Sequence, residues 1–374
     1  MAYTTIDDPS AHFQTLVYTG NGSNPRNLTN DGNSDLKPDW IWGKNLTDAG
    51  SNHTVQISNL SFNAPTDSTQ VATDNSSNAN SPATTYGYCS ASLTDGFTAA
   101  AGGTNGDNRN ANGKEFACWQ WKCNGGTVAN NTAGNTTTSV QSNLTAGFTM
   151  GTYPGNSSNG NSIGHGLGAI PDFFMIKGYS GPGTKYWTVG CPNIRAMANG
   201  ASKTLQLDGT GAVVNDTSIW GNVSLTDSIV TINSGQQVNH VNANYIFFAF
   251  KNIQGYSRVG QYVGNGTGAN GPFVYTGFRP GWVMIKNLDA TQVWILFDSA
   301  RTPFNRDDAV DSIYPSETSA EYTGASYHGV DMMSNGFKVK LTDAAVNTSG
   351  ADYLYMAFAD HPLVTSTGIP TTAR

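Results

Sequence analysis

Charge is what this sequence has least of. Charged residues make up 12% of its 374 positions, about half the quarter that soluble domains usually carry. Only three of the acids are glutamates, Glu115, Glu317 and Glu321. A coiled coil needs repeated Glu, Lys and Leu, and is excluded. With Lys+Arg at 19 and Asp+Glu at 26, no basic stripe is available, so no nucleic acid is expected as a partner. No apolar run approaches the roughly 18 residues of a membrane helix, so no membrane insertion is expected. Cysteine is sparse as well. Cys89, Cys118, Cys123 and Cys191 make no C-x-x-C pair and no zinc-ribbon spacing. Cys118 lies in a strand-like run, so a buried free thiol is the preferred reading there, with a Cys118–Cys123 bridge as the alternative. The segment Met1 to Asp8 has neither the basic nor the apolar part of a secretory signal. Asn-X-Ser/Thr sequons, such as those at Asn21, Asn45, Asn135, Asn265 and Asn347, therefore read as a by-product of composition.

What is abundant is neutral and polar: 43 Gly, 42 Thr, 39 Asn and 32 Ser. Hydrophobic residues at 38% and aromatics at 11% are still enough to form cores. The length suggests two or three domains, and internal repetition settles on three. Tyr18-Thr19-Gly20-Asn21 recurs as Tyr153-Pro154-Gly155-Asn156 and as Tyr262-Val263-Gly264-Asn265. Each is followed 18 to 20 residues later by a second landmark: Pro38-Asp39-Trp40, Pro171-Asp172-Phe173 and Pro280-Gly281-Trp282. These run on to Lys44-Asn45, Lys177-Gly178 and Lys286-Asn287. An aromatic run closes each copy: Phe116 to Trp121, Tyr245 to Phe250 and Tyr353 to Phe358. Trp187 and Trp294 correspond within the copies, with His53 at the matching place in the first.

The runs are short, aromatic and β-branched, and Gly, Asn, Asp, Ser and Pro bound them. That is strand chemistry. Asn-Gly and Asp-Gly supply the tight turns. Phe173 to Ile176 and Tyr245 to Phe250 are apolar at every position, which predicts strands buried on both faces. The expected fold is all-β, as three tandem jelly-roll-like β-sandwiches. Their expected bounds are 1–126, 144–258 and 259–374, with 127–143 as a polar linker. The joint at Lys251 to Arg258 is short, so copies two and three should dock rigidly while copy one sits more freely. Residues 64–85 read as a long surface loop.

The ordered landmarks, with Gly164-His165-Gly166-Leu167-Gly168 leading into Pro171-Asp172, resemble an uncharacterised repeat domain. That domain occurs in virion structural and tail-fibre-like proteins of tailed phages, notably those infecting marine bacteria and cyanobacteria. The resemblance spans about residues 12 to 362, and the family assigns no catalytic residues to carry over. It implies a non-enzymatic virion component, most simply a peripheral tail fibre or adhesin touching host surface glycans. Its partners would be other virion proteins, and a homotrimer follows by analogy with phage fibres. A capsid decoration or adaptor protein is the first alternative. A glycan depolymerase or a calcium-dependent lectin-like module are the others.

Candidate chemistry in the residues is thin. Ser326 lies near His328, but there is no G-x-S-x-G elbow. Asp307, Asp308 and Asp311 form the densest acidic patch, read as a solvated loop, with a cation site as the alternative. Asn108 to Gly113 faintly matches an EF-hand loop. Asn239, Asn242 and Asn244 stand in the same place of the second copy, so a recurring polar turn is preferred. His12, His53, His165, His240, His328 and His361 show no ligand spacing. Trp40, Phe173 and Trp282 recur and read as core. Tyr179, Tyr322 and Tyr327 are candidate sugar-stacking loop aromatics. No catalytic, cofactor-binding or metal-ligating residue is assigned, and no cofactor is expected.

Overall fold

The computed structural model describes residues 2–57, 70–77, 87–100, 102, 109–192, 203–220, 225–305, 311–323 and 328–371. Among them, helix is confined to a 3-10 turn at Pro9–Ala11 and one turn at Gln236–Asn239. The rest of the regular structure is antiparallel strand, as the composition predicts. The strands form three large sheets, each backed by a small one. The first large sheet has the order β1 (Phe13–Thr19), β8 (Glu115–Trp121), β3 (Trp40–Asn45), β4 (Thr54–Ile57), β5 (Gln70–Ala72). Its small partner is β2 (Arg26–Leu28), β7 (Phe97–Ala100), β6 (Tyr88–Ser92). The second large sheet runs β16 (Val214–Asn215), β15 (Lys203–Gln206), β14 (Trp187–Gly190), β13 (Phe173–Ser180), β18 (Asn244–Phe250), β11 (Phe148–Pro154), β10 (Thr138–Asn143), β9 (Ala129–Asn131). It is backed by β12 (Asn161–Gly164) and β17 (Ile229–Ile232). The third runs β19 (Ser257–Val263), β25 (Asp352–Pro362), β21 (Phe278–Asn287), β22 (Trp294–Asp298). Behind it lie β20 (Phe273–Tyr275), β24 (Gly336–Val339) and β23 (Val330–Met333).

Strand alternation explains why the central runs are apolar throughout. Successive side chains point to opposite faces. In β8, Phe116 and Cys118 face the small sheet, where they meet Leu28 and Phe97. Ala117, Trp119 and Trp121 face the other way. In β18, Tyr245, Phe247 and Ala249 face Ile163 and Val230, while Ile246, Phe248 and Phe250 face away. In β25, Tyr353, Tyr355 and Ala357 face Val274 and Phe337, while Leu354, Met356 and Phe358 face away. The three outward-turned faces meet in one common core. Trp40 lies 4.7 Å from Phe248 between ring centroids, and Trp121 lies 6.0 Å from Trp282. Phe250 lies 5.9 Å from Phe358, closing the ring of contacts among the three sheets.

This arrangement corrects two expectations. Residues 127–143 are not a linker: they carry β9 and β10, which extend the second sheet. The first copy does not sit freely, because Trp40, Trp42, Trp119 and Trp121 form part of the common core. The expected loop over 64–85 lies mostly outside the described residues, but β5 falls within it. All four cysteines are buried and free, so Cys118 and Cys123 are not bridged.

The opening Tyr-x-Gly-Asn landmark has a structural cause that repeats three times. The phenol of Tyr153 donates to the Val238 carbonyl at 2.6 Å, and that of Tyr262 to the Val346 carbonyl at 2.7 Å. Tyr18 donates likewise to the Arg109 carbonyl. A buried asparagine, Asn110, Asn239 or Asn347, then clamps the turn. Its side-chain oxygen accepts the backbone N–H of Asn21, Asn156 or Asn265 at 3.1, 2.9 and 2.8 Å. Its side-chain amide donates to the carbonyl of Ser23, Ser158 or Thr267 at 2.7, 2.9 and 3.0 Å. The glycine between is forced by close approach. A Cβ at Gly20, Gly155 or Gly264 would sit 2.0, 2.1 or 2.2 Å from a carbonyl oxygen. Asn45 and Asn347, both within sequons, are fully buried, so these two sites cannot accept sugar in the folded chain.

Gly155→Ala is expected to destabilise the protein by about 2–3 kcal/mol, because the backbone must move to admit the methyl group. Gly211→Ala, where no atom lies within 4 Å of the new Cβ, is the control. Urea midpoints check this: equal midpoints for the two variants would contradict the clamp.

Candidate functional site

The recurring charged residue of the second landmark is not a surface group. Lys44, Lys177 and Lys286 are all fully buried, and each ammonium ties its own unit to the next. Lys177 Nζ donates to the Lys185 carbonyl of its own unit at 2.6 Å and to the Asn75 carbonyl of the first at 2.8 Å. Lys286 Nζ donates to the Gln292 carbonyl at 2.9 Å and to the Thr210 carbonyl of the second unit at 3.1 Å. Lys44 Nζ donates to the Ser51 carbonyl and, at 3.2 Å, to the Thr318 carbonyl of the third. Burial pulls each lysine down to about 8. Each therefore remains an ammonium at neutral pH, with carbonyls replacing its water.

Beside two of the lysines an indole ring makes the same crossing. The indole N–H of Trp187 donates to the Ala72 carbonyl at 2.6 Å, and that of Trp294 to the Gln206 carbonyl at 2.8 Å. His53 stands in the equivalent place, and burial holds it well below its usual range, with the Tyr314 carbonyl acting in the opposite sense. Asp74 and Asp208 accept the backbone N–H of His53 and Trp187 at 2.9 and 3.0 Å. Burial raises these acids to about 7 and about 6. Trp119 adds a further bond, to Asp298 at 3.0 Å. Asp298 also accepts from Arg301 at 2.7 Å, and Arg301 from there reaches Glu321 at 2.5 Å.

The sequence-level candidates fare unevenly. Asn108, Asp307, Asp308, Ser326 and Tyr327 lie outside the described residues. Asp311 accepts from the Thr302 hydroxyl at 3.1 Å. Asn110 and Asn239 are turn clamps, and Asn244 donates to the Ser180 hydroxyl at 2.9 Å. His165 accepts from the Leu167 N–H at 3.2 Å and faces the Thr226 carbonyl. Among the described residues no group of three His, Cys, Asp or Glu side chains is placed to hold a metal. His328 joins a buried relay, 2.5 Å from the Tyr314 hydroxyl and 3.2 Å from Asp343. Burial raises the Tyr314 phenol, with Tyr322 and Asp343 adding to the effect. A phenol so raised donates a hydrogen bond and is the reverse of an activated nucleophile.

Two surface features stand out instead. One is a groove of about 630 Å³ on the seam between the first and third units. Gln14, Thr15 and Val17 of β1 form one side, and Ser299, Pro303 and Phe304 the other. Phe304 is 68% exposed, and Arg279 pairs with Asp360 at the groove. The second feature is a pair of exposed aromatics on β20, Phe273 and Tyr275, at 49% and 48%. They flank the buried Val274, whose counterparts by register are Leu28 and Ile163. Asn27 and Ser162 stand where Phe273 stands, and Thr29 and Gly164 where Tyr275 stands. Sequence reasoning chose other aromatics. Of these, Tyr179 packs against the common core, and Tyr322 packs against Tyr314 in a tilted contact with ring centroids 4.6 Å apart. Aligning the three copies on Val274 is the signal that would have found the β20 pair.

The buried lysines set a pH signature. A lysine lowered to about 8 loses its proton in the folded chain while the unfolded chain keeps it up to about 10.4. Stability therefore rises between those values, by up to about 1.4 kcal/mol per pH unit for each lysine. The raised Asp74 and Asp208 act below that window: their contribution falls as pH rises from about 4 towards 6 and 7. A minimum between about pH 7 and 8 is expected, and Lys286→Met should flatten the rise above it. Urea unfolding from pH 5 to 10 checks this; a flat profile above pH 8 in the unaltered protein would contradict it.

No helix among the described residues is long and apolar enough to cross a membrane. No curated protein and no solved structure matches the chain significantly. One family model does, in a single span that takes in all three copies. The chain belongs to that family, DUF7483, a domain of unknown function, which matches residues 8–362.

Proposed function

We propose that this chain is a non-enzymatic structural component of a tailed-phage virion, acting at the periphery as a tail-fibre or adhesin-type protein that touches host surface glycans. The observation that carries the contact is the aromatic pair Phe273 and Tyr275. Both rings face solvent in the third unit only, at positions that are Asn, Ser, Thr or Gly in the other two. A repeat that departs from its pattern by exposing two rings gains nothing for its core. Flat rings flanked by polar groups suit the faces of pyranose sugars. Lys338 and Asp331 lie on the same small sheet, opposite one another in register. The low charge of the surface supports the reading, because a displayed protein stays soluble without strong ionic attraction to bystanders. The resemblance to phage virion proteins supplies the setting.

The open edge of β1 favours a second reading, a decoration or adaptor protein held on the particle by a neighbouring chain. Two measurements separate the readings. Glycan-array binding by the whole protein is expected, and Phe273→Ala with Tyr275→Ala should weaken it at least tenfold without lowering the melting temperature. Electron cryomicroscopy of virions should place the chain at the tail periphery. Density repeated over the capsid lattice, with no glycan bound, would overturn the adhesin reading and leave the decoration role.

A further inference from the structure

The three units treat the same strand edge in three different ways. The strand that carries the Tyr-x-Gly-Asn landmark in each unit is β1, β11 or β19, and it pairs on one side with the closing aromatic strand. Its other side points away from that strand. Antiparallel bonding alternates along a strand, so the outward-facing residues follow from the bonds at the ends. In β1, the His12 carbonyl accepts from Lys122 and the Gly20 N–H donates to the Lys114 carbonyl. The backbone groups of Phe13, Thr15 and Val17 therefore face outward. The counterparts of these three in β11 are Phe148, Met150 and Thr152, which lie opposite Asn143, Gln141 and Ser139 of β10. In β19 the edge is closed by a turn. Ser257 exchanges backbone bonds of 2.9 and 3.1 Å with Ile253. The Asn252 side chain then satisfies both backbone groups of Val259, at 2.6 and 3.2 Å.

Nothing among the described residues does either job for β1, which is the outermost strand of its sheet. Its sequence, Phe-Gln-Thr-Leu-Val-Tyr-Thr, has no charge, proline or glycine to discourage pairing. Natural edge strands usually carry such a guard. The 630 Å³ groove runs along this edge.

We propose that β1 is an acceptor site for strand addition, taking an extended, uncharged peptide arm from a neighbouring protein subunit. The arm lies antiparallel to β1 in the place that β10 occupies beside β11. Main-chain bonds to Phe13, Thr15 and Val17 supply affinity. Ser299, Pro303 and Phe304 line the groove opposite β1, and at the equivalent edge of β11 the occupant is a single uncharged strand, β10. Charge acts in the same direction: Arg279 and Asp360 neutralise one another, β1 itself is neutral, and Asp31, which also lines the groove, repels an acidic arm. Ser, Thr, Val, Gln and Asn, the residue types of β10, fit these surroundings. The inference rests on the edge geometry and not on the virion reading.

The test uses the whole chain with a second copy of residues 138–143 appended ahead of Met1 through a Gly/Ser linker, which holds the arm at millimolar effective concentration. Amide hydrogen exchange at Phe13, Thr15 and Val17 should slow at least tenfold relative to the unaltered chain. A control arm carrying Ser139→Pro and Gln141→Pro, which removes the donors facing β1, should restore the fast exchange. Equal exchange with both arms would overturn the proposal. So would protection of these amides in the unaltered chain together with sedimentation as a dimer, because a second copy would then be the occupant.

Discussion

The burial of aromatic side chains between three sheets is the interaction on which the rest of the structure depends. A sandwich needs only one apolar face per sheet. Here each large sheet has two, and the second face is satisfied only by the other units. Trp40, Trp121, Trp282, Phe250 and Phe358 sit where the three faces meet. Truncating any one of them should cost about 3–5 kcal/mol, a large fraction of the roughly 5–15 kcal/mol by which most domains are stable. No unit can leave the assembly without exposing such a surface, so the chain behaves as one body.

The seam bonds follow from that burial. Once the sheets pack face to face, the ends of their hairpins are cut off from water, and the carbonyls there need donors. Lys44, Lys177 and Lys286 supply ammonium groups, and Trp187 and Trp294 supply indole N–H groups. Each reaches into the neighbouring unit in the same rotational sense, from the first to the third, the second to the first and the third to the second. Burying each charge is costly, as the lowered lysines show, and the surrounding carbonyl acceptors offset part of that cost. The residues that recur most faithfully are therefore seam and turn residues. Those available to a partner are the ones that break the repeat, namely the aromatics of β20 and the unguarded edge of β1.

The all-β class and the two-sided burial of the central strands were legible in the sequence, because strand alternation is a local property, and the ordered landmarks fall at matching places in the three large sheets. The common core was not. A fully apolar run reads alike whether its second face meets a sheet of the same unit or of another; in this chain the run Tyr245 to Phe250 meets Trp40 of the first unit. The strands β9 and β10 were hidden for a different reason. They lie towards the edge of the second sheet, where Ala129, Asn130 and Asn131 need no apolar face, so their composition is that of a linker. Buried lysines were invisible because lysine is ordinarily a surface residue, and only the spatial return of the neighbouring hairpin explains them. Among the site candidates, the Asn-rich stretches of the first two copies hold the turn clamps Asn110 and Asn239, while the exposed rings of β20 looked like ordinary strand aromatics until their neighbours in the other copies were set beside them.

Scanning calorimetry of the whole chain tests the shared core most directly. One transition is expected, with the calorimetric enthalpy equal to the van't Hoff enthalpy, and Trp282→Ala should shift that single transition downward as a whole. Two or three separable transitions, with Trp282→Ala moving only one of them, would show that the units are independent and would contradict the account.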